Sequence, residues 1–219
     1  MTKTKPLLII FDIDGTLLDT TDYIYQAFEH SLRTNQAKIH NRKILAKQVG
    51  KRLDDSYGIL APGQDIEPFI SEHRYFQTKN IHLVKAYPSV AHALELLSKT
   101  SVKLAVFTSR MSYVNESLEA GGINPGLFTY IVDGTMVKHG KPNPEGVSLI
   151  LEKLHMPAED SVFVGDAAVD IQTGNNAGVG TTVAVSYGFG TKKDMDKVGP
   201  DYTIEALDQL PAILGFGVK

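Results

Sequence analysis

Asp12 and Asp14 stand two residues apart in the stretch Phe11-Asp12-Ile13-Asp14-Gly15-Thr16-Leu17-Leu18-Asp19, directly after the apolar run Leu7-Leu8-Ile9-Ile10. Apolar residues closed by a Gly-bearing turn predict a buried strand opening into a polar loop, and an extended chain places residues i and i+2 on one side. Two carboxylates about 4 Å apart repel by roughly 4 kcal/mol at an effective dielectric near 20. Such a pair calls for a cation, a shared proton or a chemical task. Asp and Gly also form ordinary turns, but Asp12 follows five apolar residues, before any solvated loop has begun.

Three other stretches carry matching chemistry. Lys103-Leu104-Ala105-Val106-Phe107 reads as a strand that ends at Thr108-Ser109, and Val162-Phe163-Val164 runs into Gly165-Asp166, with Asp170 four residues further on. A helical turn beginning there puts Asp166 and Asp170 on one face. Lys141 lies in His139-Gly140-Lys141-Pro142-Asn143-Pro144, a loop stiffened by proline ahead of a helix. Four carboxylates meeting at one sheet edge are hard oxygen ligands of the kind that suit magnesium. Lys141 supplies a cation toward that charge, and a proton shared at Asp14 makes a general acid. Read singly, Thr108 is an N-cap for a helix near Met111, Asp170 a surface helix residue and Lys141 a solvated lysine.

The elements that must position these groups follow from periodicity. Ile24, Ala27, Phe28 and Leu32 share a helical face, and residues 20–85 hold helical stretches with no convincing strand, which predicts a helical insert. From Tyr87 onward helix and strand alternate: a helix carrying Val90, Ala93, Leu94 and Leu97, the strand at 103–107, a short strand at Tyr130-Ile131-Val132, a helix N-capped by Asn143 with Pro144 first, the strand at 162–164 and another from Thr181 to Val185. Alternation of this kind implies an α/β fold with a three-layer, Rossmann-like parallel sheet, and ligands in such sheets bind beyond the carboxyl ends of the strands. The expected division is an α/β core of residues 1–19 and 86–219, with a helical cap at 20–85.

The chain has 219 residues, a formal net charge of −3 and no cysteine, so disulfides, thiolate ligands and cysteine nucleophiles are excluded. No basic run points to nucleic acid or an anionic membrane surface. The apolar run Leu7–Phe11 is too short for a signal h-region and no stretch reaches the length of a membrane span, so a cytoplasmic monomer or homodimer is expected.

Asp12-Ile13-Asp14-Gly15-Thr16, Thr108 closing its strand, Lys141 before Pro142, and Gly165-Asp166 with Asp170 resemble, in order, the four motifs of the haloacid-dehalogenase-like hydrolase superfamily. The resemblance implies that Asp12 is a nucleophile forming an aspartyl-phosphate and that Asp14 is the general acid and then the base. It implies that Thr108 and Lys141 hold the transferring phosphoryl group, with Gly15 and Ser109 beside it. Asp12, Asp14 through its backbone carbonyl, and Asp166 would hold Mg2+, with Asp170 in or just behind that shell. Gly178, Tyr187-Gly188 and Pro200-Asp201-Tyr202-Thr203-Ile204 are similar to the phosphoglycolate phosphatase branch. The implied activity is a magnesium-dependent phosphatase of small phosphorylated metabolites. The alternatives are a phosphosugar mutase of the beta-phosphoglucomutase type, a pyrophosphatase or nucleotidase, and a non-catalytic phosphoryl-binding protein. In the insert, Lys51 and Arg52 form a basic pair that reads first as a solvated face and second as a site for a substrate carboxylate or further phosphate. Two departures stand out: Ala167 where many relatives have Ser or Thr, and Ser109-Arg110 where Asn-Lys is frequent.

Overall fold

The computed structural model describes residues 6–216. Its chain divides into two compact units, one of residues 1–19 with 86–219 and one of residues 20–85. In the first, a parallel sheet runs in the order β5-β4-β1-β6-β7-β8. Its strands are β1 (Leu8–Phe11), β4 (Lys103–Phe107), β5 (Tyr130–Val132), β6 (Ser161–Gly165), β7 (Thr181–Val185) and β8 (Tyr202–Ile204). The segments β2 (Leu18–Asp19) and β3 (Lys85–Ala86) pair as a separate two-stranded ribbon.

β1 is central, with Phe11 in register with Val106 of β4 on one side and Val164 of β6 on the other. All four of its residues are buried, which is why it reads as an unbroken apolar run and not as an alternation. The first unit's helices are α5 (Val90–Ser98), α6 (Val114–Ala120), α7 (Glu145–Leu154), α8 (Ala168–Ala177), α9 (Lys192–Val198) and α10 (Leu210–Ile213). Leu8, Ile10, Ala105, Phe107, Val132 and Phe163 from the sheet close a core with Val147 and Ile150 of α7. Ile171 of α8, Ala184 of β7 and Met195 of α9 form a second. The registers fix which strand ends lie side by side: those of β4, β1 and β6, which carry Thr108, Asp12 and Asp166.

In the α/β unit several details differ from the sequence reading. Helix α7 starts at Glu145 with Pro144 as N-cap, one residue later than expected, while Asn143 Oδ1 makes the expected capping bond, accepting from Glu145 N at 3.0 Å. Helix α6 starts at Val114, not near Met111, behind Tyr113 in the left-handed region at φ 55°. The strand β8 was not foreseen: Tyr202 and Thr203 are exposed, so it has no apolar run, and its pairing with β7 defines it.

The second unit holds α1 (Thr21–Thr34), α2 (Arg42–Ala46), α3 (Leu53–Leu60) and α4 (Glu67–Lys79). Tyr23, Ala27, Phe28, Ser31 and Leu32 make the buried face of α1, with Tyr23 in the place the periodicity gave to Ile24. Ser31 Oγ donates to the Phe69 carbonyl at 2.7 Å, and Tyr57 Oη lies 2.8 Å from His73 Nδ1 with Phe28 against both rings. Among the described residues no helix is long and apolar enough to cross a membrane.

Candidate active site

Beyond the carboxyl ends of β1 and β6, Asp12, Asp166 and Asp170 each offer a carboxylate oxygen within 4.8 Å of the others, and all three are buried. Lys141 reaches in from the loop before α7. Its Nζ donates to Asp12 Oδ1 at 2.6 Å and to Asp170 Oδ1 at 2.7 Å, and its side chain is only 3 % exposed. The rings of Phe107 and Phe163, from the two strands that flank β1, lie 5.2 and 5.3 Å from that ammonium, so the ion sits in an aromatic-walled slot. The peptide bond between Lys141 and Pro142 is cis.

Local structure explains each placement. β1 ends at Phe11, and Asp12 N donates to the Val164 carbonyl at 2.9 Å, holding the first residue of the loop against β6. Gly15 adopts φ +88°, a region that disfavours side chains, and a Cβ there would strike the Asp166 carboxylate. Gly188 approaches Asp166 from another loop just as closely, and next to it Phe189 N donates to Asp166 Oδ2 at 2.6 Å. Asp170, in the first turn of α8, accepts from Ala167 N at 2.9 Å on the oxygen that Lys141 does not use. The surface-helix reading of Asp170 is therefore overturned, as is the solvated reading of Lys141.

The charges are far from balanced. Burial first, then Asp170 and Asp14, push Asp12 up to about 7, against the opposing pull of Lys141. Burial and the neighbouring Asp170 and Asp12 also raise Asp166 well above the usual carboxylate range. Burial alone would lower Lys141, but Asp12 and Asp170 together outweigh it and hold the ammonium charged. A single lysine among three buried carboxylates leaves a deficit of positive charge. Buried oxygen donors with that deficit fit a hard divalent cation.

Asp14 does not join this group. The Asp12 carboxylate is held by Lys141 and the Asp14 carboxylate by Arg110, and the Asp14 charge acts on Asp12 from there. Arg110 Nε donates to Asp14 Oδ2 at 2.7 Å and Nη2 to Asp14 Oδ1 at 2.6 Å, a bidentate pair. Three carboxylates thus meet where four were expected. Sequence reasoning assigned no role to Arg110 beyond its departure from the family pattern, and its position, three residues past the end of β4, was the signal that could have found it.

Thr108 is buried and its Oγ1 accepts from Arg110 N at 3.2 Å, so it caps a tight turn and does not start α6. Ser109 follows it at the same strand end, half-buried. In the helical unit, Arg52 is the N-cap of α3 and its Nε lies 3.2 Å from Asp54 Oδ1, while Lys51 Nζ donates to Gln48 Oε1 at 3.3 Å.

A parallel α/β sheet with acidic and basic groups gathered at its carboxyl edge defines a class of enzyme sites that bind anions or cations beyond the strand ends. The chain belongs to the haloacid dehalogenase-like hydrolase family, whose model matches residues 9–185. It is 32% identical to the pyrophosphatase PpaX of Bacillus velezensis, over 98% of this chain and 99% of that one. Among solved structures, a haloacid dehalogenase-like hydrolase from Bacteroides fragilis matches with a TM-score of 0.87 and 26% identity, over 94% of this chain and all of that one. A predicted phosphoglycolate phosphatase from Haemophilus somnus shares the fold with a TM-score of 0.86 and 22% identity, over 96% and 98% of the two chains.

Proposed function

We propose that this chain is a magnesium-dependent phosphohydrolase of small phosphorylated metabolites that works through an aspartyl-phosphate on Asp12. The observation that carries the reading is Lys141 bridging Asp12 and Asp170 beside Asp166 at the strand ends. A nucleophilic carboxylate needs positive charge on both itself and the phosphoryl group it attacks.

Asp12 Oδ1 and both oxygens of Asp170 are engaged by Lys141 and Ala167 N, and Asp166 Oδ2 by Phe189 N. Asp12 and Asp166 would hold the metal ion through their carboxylates, with the Asp14 backbone carbonyl, while Asp170 stands behind them and holds Lys141. A bound magnesium ion would supply charge neutralisation for the phosphoryl oxygens.

In the first step an Asp12 oxygen bonds to phosphorus as the bond to the leaving oxygen breaks. That oxygen keeps the electron pair and takes a proton from Asp14. In the second step water attacks the phospho-aspartate, Asp14 accepts its proton, and phosphate leaves with Asp12 restored as a carboxylate. Lys141 stabilises the charge on Asp12 and the phosphoryl group, and the Thr108 hydroxyl donates to a phosphoryl oxygen. The helical unit is assigned as the cap, with Arg52 and Gly15 contributing to substrate binding.

Phosphoglycolate leads among monoesters, on the sequence motifs. Pyrophosphate is the second reading, favoured by the relative named for that activity. The test is phosphate release from a panel of phosphate esters and pyrophosphate with and without magnesium, beside Asp12→Asn. We expect magnesium-dependent release by the native chain and a loss on the order of 10⁴-fold in the variant. Undiminished turnover by the variant removes Asp12 from its role.

A further inference from the structure

Arg110 is the best-placed cation at this sheet edge that the reaction scheme does not use. Two of its nitrogens hold Asp14, and the third, Nη1, donates to Ser117 Oγ at 2.8 Å, so the guanidinium is aimed by α6. Its own backbone N–H is bonded to Thr108 Oγ1, which ties it to the turn at the end of β4. The Arg110 and Asp14 side chains keep 10 % and 14 % of their surface exposed, against 3 % for Lys141. This pair is therefore open to a solute in a way that the Lys141 slot is not.

The fork of a guanidinium accepts a carboxylate or a phosphate with the same two parallel bonds. Pulling Asp14 away with nothing in its place strands a largely desolvated cation, which is strongly unfavourable, whereas replacing Asp14 by another anion conserves the pairing. Asp14 must also leave that fork to meet a leaving oxygen, because both of its own oxygens are occupied by it.

We propose that Arg110 is the specificity-determining residue of the site. Its guanidinium exchanges Asp14 for an anionic group on the leaving part of the substrate, so the preferred substrates are phosphoryl compounds whose leaving group itself carries a carboxylate or a phosphate. This rests on the phosphohydrolase reading above. The exchange keeps one anion on the guanidinium before and after, and it frees Asp14 only when such a leaving group is present. Pyrophosphate and 2-phosphoglycolate both satisfy the requirement, the first with a phosphate and the second with a carboxylate. p-Nitrophenyl phosphate does not.

The experiment measures kcat/KM for pyrophosphate, 2-phosphoglycolate and p-nitrophenyl phosphate with magnesium, using the full chain and its Arg110→Gln and Arg110→Lys variants. The native enzyme should favour pyrophosphate or 2-phosphoglycolate over the aryl ester, and comparison of those two arms tells which anion the fork takes. Arg110→Gln should lose about 100-fold on the favoured substrate, largely through KM, and under about tenfold on p-nitrophenyl phosphate. Arg110→Lys keeps the charge without the fork and should fall between, which reads the same ratio if the Gln variant does not fold. Equal losses on all three substrates, or none, would overturn the proposal and leave Arg110 as a support for Asp14. A native chain that hydrolyses the aryl ester while the ratio stays fixed in the variants removes this inference alone. A native chain that hydrolyses none of the three removes the phosphohydrolase reading and this inference with it.

Discussion

Each unit buries a polar cluster, and the two are built on opposite rules. In the helical unit Ser31, Tyr57 and His73 are donors and acceptors closed on one another and on a carbonyl, packed among Phe28 and Phe69. In the α/β unit Asp12, Asp166 and Asp170 crowd three carboxylates around one ammonium. The first arrangement satisfies its groups and stabilises its fold. The second leaves like charges facing one another in a region of low dielectric, an arrangement that clusters at functional sites. Burial is the largest cause of the rise at Asp12, Asp166 and Tyr57 alike, but only at the two carboxylates do neighbouring like charges add to it.

Lys141→Ala should break the contrast most forcefully. Without its ammonium the three carboxylates have no internal cation, and loss of one partner from a buried pair costs about 3 kcal/mol or more. Denaturant unfolding in the presence of a chelator measures it, and magnesium should restore part of the loss.

A second measurement sharpens the comparison through pH. A carboxyl whose folded value lies above its unfolded one adds stability while it holds its proton, and the advantage fades as pH rises through that interval. For Asp12 the interval runs from 3.8 to about 7. With chelator present, the melting temperature of the native chain should therefore fall, relative to that of Asp12→Asn, as pH rises across this window. Magnesium should raise the native midpoint most at the upper end. A relative midpoint that rises with pH would contradict the congestion described at Asp12.

The smallest effect belongs to the polar cluster of the helical unit. Tyr57→Phe removes the bond to His73 Nδ1 and should cost about 1 kcal/mol, with the same cost whether or not magnesium is present. A magnesium-dependent cost would mean that the two clusters are energetically linked.

The parts of this molecule that local pattern encodes were legible from its residues. The apolar run of β1, the strand ends at Thr108 and Asp166, and the apolar face of α7 all follow from periodicity, and each lies where that periodicity places it. The placement of Asp14 was not legible. Its side chain is held by Arg110 from the turn after β4, and a long side chain reaching across from a turn leaves no periodic mark. β8 was hidden for a related reason, since an edge strand with two exposed residues is defined by its neighbour and not by its composition.

The central position of β1 also orders the birth of the site during synthesis. The strand bearing Asp12 is made first, but its two hydrogen-bonding neighbours, β4 and β6, emerge only after the intervening helices of residues 20–85 and, for β6, after α7 as well. Long-range parallel pairing of this sort is slow to form. A nascent chain released before Gly165 therefore holds Asp12 at the end of a strand with an unpaired edge, and the three carboxylates cannot meet until Asp170 has been made.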